Sequence, residues 1–157
     1  MQREEIEARV LCALSILFER DHYLLGVVNE RSITHRLGIY LQELFPLWDV
    51  DCEYNRIYEA KKSLKYLYRD DPPDEEPHED TKGKTVFPDI IVHERGTDCN
   101  LLVIEVKKTN SNVDDAVDIR KLCAFKEELG YSHALFLKIG VGDEGEPPWE
   151  LCWVEVP

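Results

Sequence analysis

Two short apolar runs separated by a turn constrain the fold of this 157-residue chain more than any other feature. The runs TVFPDIIVH and LLVIEVKK are rich in β-branched and aliphatic residues, and the segment ERGTDCN between them has turn composition. This pattern predicts a β-hairpin. The runs also contain Asp89, Glu105 and Lys107. An unpaired charge in a buried strand costs several kcal/mol, so each of these side chains needs a partner or a function.

Helical and strand patterns alternate along the rest of the chain. Apolar residues at helical spacing predict three helices, over residues 3–20, 30–46 and 112–130. Strand patterns occupy residues 47–55, 85–93, 101–108, 133–141 and 149–156. Residues 21–29 are predicted to break the first two helices apart, and residues 56–69 fit either a helix or an extended segment. The order predicts one α/β domain over residues 1–157, with a mixed central sheet flanked by helices.

The charge distribution limits the classes of partner. The net charge is −13, which argues against a protein that coats nucleic acid generally, because neutralising phosphates needs a basic surface. The charge is uneven, however. Residues 70–80 contain seven acids and no Lys or Arg, within a predicted proline-containing loop over 70–85. Residues 56–69, just before it, contain five basic residues and one acid. This segment supplies candidate nucleic-acid contacts, namely Lys61, Lys62, Lys65 and Arg69.

Cysteine usage and hydropathy favour a cytoplasmic protein. The five cysteines are odd in number and widely spaced, without a C-x-x-C motif, so neither a disulfide framework nor a structural zinc site is indicated. The only candidate export segment, residues 10–18, follows an acidic stretch and precedes no small-residue cleavage site. It is also too short to cross a membrane.

The charged residues of the hairpin form a candidate site. Glu105 and Lys107 alternate with Val106, so they share one face of the strand at roughly 7 Å separation. Asp89 lies on the neighbouring strand. Glu30 falls on the apolar stripe of the second helix and can join them. Converging carboxylates suit Mg²⁺ or Mn²⁺, and a lysine beside them can orient water and stabilise charge on a phosphorane. These parts fit metal-assisted hydrolysis of a phosphodiester.

Pro88-Asp89, followed by Glu105-Val106-Lys107 with Glu30 upstream on a helix, resembles the PD-(D/E)XK superfamily of restriction-endonuclease-like nucleases. The resemblance implies an αβββαβ core, here over residues 30–140, with an extra N-terminal helix. It implies that Asp89, Glu105, the Val106 carbonyl and Glu30 bind Mg²⁺ or Mn²⁺, and that Lys107 acts at the attacking water. Lys121, on the helix after the motif, matches an auxiliary basic position and is a candidate nucleic-acid contact. The function expected is a metal-dependent endonuclease, with DNA as the favoured substrate.

Other interpretations of the same residues stay open. The hairpin charges could form a structural salt-bridge cluster, and the domain could be a catalytically silent interaction or regulatory module. Glu53 could support the metal site or form an ion pair with Arg56 or Lys107. His35 and Arg36 lie off the apolar stripe, as exposed residues or substrate contacts. Trp149 and Trp153 share a face that fits either core packing or a homodimer interface.

Overall fold

A computed structural model of the chain describes residues 1–27, 30–54, 56–57, 60–61, 63–64, 84–85, 87–112, 114–140 and 148–156. Its three helices are α1 (Arg3–Val27), α2 (Glu30–Leu44) and α3 (Asp115–Leu129). The strands of the main sheet are β1 (Asp49–Cys52), β6 (Ile90–His93), β7 (Asn100–Lys108), β8 (His133–Ile139) and β9 (Trp149–Trp153). Two short pairs stand apart from it, β2 (Arg56–Ile57) with β3 (Ala60–Lys61), and β4 (Ser63–Leu64) with β5 (Lys84–Thr85).

The main sheet has five strands in the order β1-β6-β7-β8-β9. Neighbouring strands are antiparallel except for β7 and β8, which are parallel and joined through α3. The predicted hairpin is therefore present as β6 and β7, with Ile90 paired to Ile104. The α/β class and the mixed sheet flanked by helices are both confirmed. Along the chain, α2, β1, β6, β7, α3 and β8 follow one another in the order predicted for residues 30–140, apart from the short pairs.

Each face of the sheet buries its own apolar cluster. Helices α1 and α2 cover one face, where Leu14 and Leu37 pack against β-strand residues such as Ile104. Helix α3 covers the other, where Phe125 packs with Phe136. Burying a side chain of this size contributes roughly 1.5–3 kcal/mol. Successive strand residues point to opposite faces of the sheet. The face on which a charged residue of β7 lies therefore determines whether it contacts α3 or the α1 and α2 layer.

Helix α1 is longer than predicted. The sequence predicts a break after residue 20, and Asp21 does have non-helical angles, with φ −124° and ψ 17°. The helix then continues to Val27, so the predicted break is wrong over residues 22–27, and residues 28–29 lie outside the described residues. Leu25, in that last segment, is buried in the core on the α1 side of the sheet. Tertiary packing thus extends a helix that local composition interrupts.

Three further boundaries differ from the predictions. Residues 56–57, 60–61 and 63–64 are extended, which decides the ambiguous segment where it is described. Lys84 and Thr85, the last residues of the predicted loop 70–85, form strand β5 and pair with β4. The strand predicted over residues 85–93 joins the main sheet as β6, at Ile90–His93. Trp149 packs edge-on against Phe18 of α1, and Trp153 donates to Glu7 of α1 at 2.8 Å, so this face of β9 packs on the helix.

Within the described residues, none of the helices has the length and apolar character needed to cross a bilayer.

Candidate active site

Three carboxylates from three elements approach the last residues of β7. Glu30, the first residue of α2, accepts a hydrogen bond from the Lys108 backbone N–H at 3.0 Å. Asp89, just before β6, accepts one from the Val106 N–H at 2.7 Å. Because Ile90 pairs with Ile104 in antiparallel strands, the same register places the preceding residue, Asp89, beside Glu105, which is the third carboxylate. Backbone hydrogen bonds and strand pairing therefore bring the candidate acids together around residues 105–108.

Glu105 is a buried carboxylate, only 4% exposed. Lys121 of α3 lies 2.8 Å from both of its oxygens, but the geometry suits a hydrogen bond only at Oε2. The buried Oε1 has no hydrogen-bond partner among the described residues. Burial raises the pKa of Glu105 to about 8, although Lys121 opposes this rise and Asp89 adds to it. Glu105 is therefore harder to ionise than an ordinary glutamate, because burial disfavours its charged form.

Asp89 is also harder to ionise than an ordinary aspartate. Burial raises its pKa, against the opposing effects of the Val106 N–H and of Lys121, and Glu30 and Asp118 raise it further. Lys121 also donates to the Phe87 carbonyl at 2.7 Å, so its ammonium lies between the start of the Pro88-Asp89 motif and Glu105. One lysine consequently serves both carboxylates.

Lys107 faces α3, as Glu105 does, and is 5% exposed. Its Nζ donates to Asp118 at 2.9 Å and lies 3.3 Å from Asp115, with the ring of Phe136 at 5.8 Å. Burial alone would lower the pKa of Lys107, but these two carboxylates raise it above its ordinary value. Lys107 is therefore a protonated cation held against α3. Asp115 is shared with Lys138 of β8.

The residues present fit a divalent cation at the carboxylates, judged by two observations. Hard oxygen ligands are the donors that Mg²⁺ and Mn²⁺ prefer, and Asp89, Glu105 and Glu30 supply them. The Oε1 of Glu105, which is buried and accepts no hydrogen bond from the described residues, is an acceptor that a cation would satisfy. Against this, the described residues contain no group of three or more His, Cys, Asp or Glu side chains already arranged to hold a metal ion. Side-chain movement, above all of Lys121, would have to accompany binding.

Several predicted contacts fall elsewhere. Lys62, Lys65 and Arg69 lie outside the described residues, as does the acidic segment 70–80. For Lys61 only the backbone is described, paired with Arg56 across β2 and β3. The remaining candidate, Lys121, is engaged with Glu105 and Phe87.

Two neighbouring residues take structural partners. Glu53 forms an exposed ion pair with Arg31 at 2.8 Å, and Lys107 pairs with carboxylates of α3 instead of with Glu53. The predicted alternative, an ion pair with Arg56, falls on a side chain outside the described part of the chain. Glu53 also has a positive φ of 52° at the end of β1. Arg36, expected to be exposed, is half-buried and donates to Asp21 at 2.9 Å and to the Tyr40 hydroxyl at 2.7 Å. His35 is exposed, as expected.

Sequence analysis missed the two α3 carboxylates that hold Lys107. A signal for one of them was present, because Asp118 lies three residues before Lys121 and four before Leu122. That spacing puts Asp118 on the same helix face as residues that turn toward the sheet.

In comparisons with known proteins, no family model, no curated protein and no solved structure matches this chain. Function is therefore inferred from the residues of the site.

Proposed function

We propose that this chain is a metal-dependent nuclease that hydrolyses phosphodiester bonds, with DNA as the favoured substrate. The observation that carries the proposal is the approach of three carboxylates, from α2, the start of β6 and β7, to the single stretch 105–108. The order α-β-β-β-α-β along residues 30–140 is the order that the PD-(D/E)XK resemblance implies. It supports the proposal without depending on the motif letters.

Asp89, Glu105, Glu30 and the Val106 carbonyl would hold the cation. When bound, Mg²⁺ or Mn²⁺ polarises a phosphoryl oxygen and makes a bound water more acidic. Lys107 is held as a cation by Asp118 and Asp115, so its role is to stabilise negative charge at the phosphate and not to remove a proton. Burial raises the pKa values of Asp89 and Glu105 because it disfavours their ionised forms. A bound divalent cation would offset part of this cost by stabilising the ionised carboxylates.

The deciding experiment is a cleavage screen with Mg²⁺ and Mn²⁺ over duplex, single-stranded and branched DNA and RNA. Asp89→Asn, Glu105→Gln and Lys107→Ala should each lower cleavage by about 100-fold or more, because each removes a ligand or a charge from the reacting phosphate. Asp98→Asn, in the exposed turn between β6 and β7, is the control and should cleave as the wild type does. Cleavage at the wild-type rate by all three site variants would contradict the assignment.

One observation favours a second function, a catalytically silent interaction module of the same fold. Both lysines of the site are already paired, Lys107 with two α3 carboxylates and Lys121 with Glu105. Such pairing is what a purely structural ion-pair cluster requires. Calorimetric titration with Mn²⁺ separates the two functions, because a nuclease site should bind the ion and lose that binding in Asp89→Asn. A silent module that uses the cluster only as ion pairs should bind none.

A further inference from the structure

A cleft beside the candidate site has features that the metal chemistry does not use. It has a volume of about 980 Å³ and lies between the end of α1, the first two turns of α2 and the end of β1. Glu30 and Asp89 form part of its wall, so the cleft opens onto two of the proposed metal ligands. A substrate that reaches those carboxylates through this cleft must contact the side chains that line it.

An exposed aromatic ring lines the cleft. Tyr23 is 62% exposed, whereas the core tyrosines Tyr40 and Tyr131 are each 2% exposed. It follows the kink at Asp21, and Asp21 is tied to α2 by hydrogen bonds from Arg36 and Tyr40 at 2.9 and 2.5 Å. The end of α1 that presents Tyr23 is therefore anchored to α2. An exposed ring on an anchored element can stack with the face of a nucleic-acid base.

Side chains that carry cationic and polar hydrogen-bond donors also line the cleft. Arg31 and His35, four residues apart, lie on one side of α2 and both line the cleft. The Arg31 side chain is 77% exposed and pairs with Glu53, itself 45% exposed. An exposed ion pair of this kind contributes little stability, so Arg31 can exchange Glu53 for a phosphate at small cost.

The carboxylates decide when such a ligand can enter. Among the described residues, the hydrogen bonds that the carboxylates of Glu30 and Asp89 accept come from backbone N–H groups, and neither carboxylate has an ion-pair partner. Their charge repels phosphate until a divalent cation is bound. Binding of the cation and of a polyanion at this cleft should consequently be coupled.

We infer that this cleft binds single-stranded nucleic acid, with an unpaired base stacked on Tyr23 and a backbone phosphate on Arg31. The inference rests on the proposed function, which supplies the reason for a phosphodiester to approach Asp89. A single strand is favoured over a duplex because stacking on Tyr23 needs a base face that pairing and stacking within a duplex conceal.

Fluorescence anisotropy with labelled oligo-dT, oligo-rU and a duplex of equal length tests the inference. Ca²⁺ replaces Mg²⁺ so that binding is measured without cleavage, and EDTA removes the cation. We expect oligo-dT or oligo-rU to bind in Ca²⁺ more tightly than the duplex, and more weakly in EDTA. Tyr23→Ala should raise the Kd about 5- to 100-fold, whereas Tyr23→Phe should keep wild-type affinity. Arg31→Ala should weaken binding and lower the salt slope by about 0.7.

Arg3→Ala is the matched control, because Arg3 forms a similarly exposed ion pair with Glu155 away from the cleft, and it should bind as the wild type does. Wild-type affinity in both Tyr23→Ala and Arg31→Ala overturns the inference, as does a preference for the duplex or the absence of oligonucleotide binding. If the wild type cleaves DNA while these variants bind normally, the cleft assignment fails and the proposed nuclease survives. If the cleft binds single strands as described but no Mg²⁺- or Mn²⁺-dependent cleavage occurs, the nuclease proposal fails alone.

Discussion

At the residue scale, Lys121 sets the amount of positive charge that the candidate metal ligands already have. It contacts both oxygens of Glu105 and lowers the pKa of Asp89 against the effect of burial. The same ammonium that stabilises the buried carboxylate repels an incoming divalent cation. Lys121 therefore acts as an internal competitor for the metal.

Replacing this lysine should strengthen metal binding. Lys121→Gln keeps a polar side chain but removes the charge, and we expect its Mn²⁺ affinity to rise about tenfold or more, since like charges at this distance interact strongly outside bulk water. Isothermal titration calorimetry gives the affinity. Lys126→Gln, also on α3 but paired with the surface residue Glu155, is the control and should leave it unchanged. Equal affinity in Lys121→Gln and the wild type would show that Lys121 does not compete with the ion.

A second residue-scale feature is the network that joins α1 to α2. The hydrogen bond from Tyr40 lowers the pKa of Asp21, Arg36 lowers it further, and burial opposes both. An acid with a folded pKa below its unfolded value of about 3.9 stabilises the fold above that pH. This contribution is lost as the pH falls through the folded pKa.

Removing the Tyr40 hydroxyl should therefore reduce stability in a pH-dependent way. We expect Tyr40→Phe to lower the free energy of unfolding by about 1–2 kcal/mol at neutral pH, because a charged acceptor loses a donor. The difference from the wild type should shrink as the pH falls below about 3.9 and through the folded pKa of Asp21, which lies lower. Urea denaturation at neutral pH and across this acidic range measures it. Tyr23→Phe, which alters an exposed ring, should have no effect; a Tyr40→Phe loss that is constant with pH would rule out the linkage.

At the scale of elements, the contact between α2 and β1 is close enough to require glycine. A Cβ on Gly38 would lie 2.6 Å from the Cys52 sulfur. That sulfur is in a half-buried side chain directed at the Thr34 carbonyl, 3.7 Å away. The close packing of Gly38 against Cys52 holds α2, and with it Glu30, against the edge of the sheet.

A double-mutant cycle tests this contact. Gly38→Ala should gain up to about 1 kcal/mol from helix propensity but lose about 1–3 kcal/mol from overpacking, so the net effect should be destabilising. In a Cys52→Ala background the sulfur is absent, and the same substitution should stabilise the protein by about 0.5–1 kcal/mol. Urea denaturation of the four proteins gives the coupling. The same change in stability in both backgrounds would mean that the close contact does not constrain the helix.

At the scale of the whole molecule, the net charge of −13 opposes any polyanionic substrate. Seven of the 32 acids lie in residues 70–80, directly after the basic segment 56–69. Exposed charges interact within a Debye length of roughly 8 Å at physiological salt, so neighbouring acids can screen the basic segment from phosphates. The sequence thus predicts that this acidic segment limits nucleic-acid affinity.

Replacing the seven acids by Ser or Asn should tighten non-specific DNA binding, most clearly at low salt. Replacing Lys61, Lys62, Lys65 and Arg69 by Ala should weaken binding and flatten its salt dependence, because fewer counterions are released. Filter binding or anisotropy across a salt series measures both. Neutralising exposed acids of α1, Glu4 and Glu5, controls for net charge and should change affinity less per charge removed. No gain for the acidic-segment variant at about 50 mM salt would refute the prediction.

Local sequence patterns were sufficient to predict the elements that position the site. Alternating and continuous apolar runs predict β6 and β7, and helical spacing with a final glycine predicts α3. The structure ends α3 at Gly130 with a left-handed φ of 67°. These features depend on residues within a few positions of one another, where side-chain period and backbone preference act directly. The same patterns place Asp89, Glu105 and Lys107 at the ends of adjacent strands.

Tertiary structure alone decided which charges meet. Lys107 pairs with Asp118 eleven residues away, Glu105 with Lys121 sixteen residues away, and Glu30 reaches the Lys108 amide across 78 residues. No local period relates these partners, because their distances depend on how α3 and α2 pack on opposite faces of the sheet. The sequence by itself determined that acids and lysines would lie at the end of β7. Helix packing determined that both lysines would be paired. It also left one Glu105 oxygen without a hydrogen bond among the described residues, and it placed Tyr23 at the cleft beside Asp89.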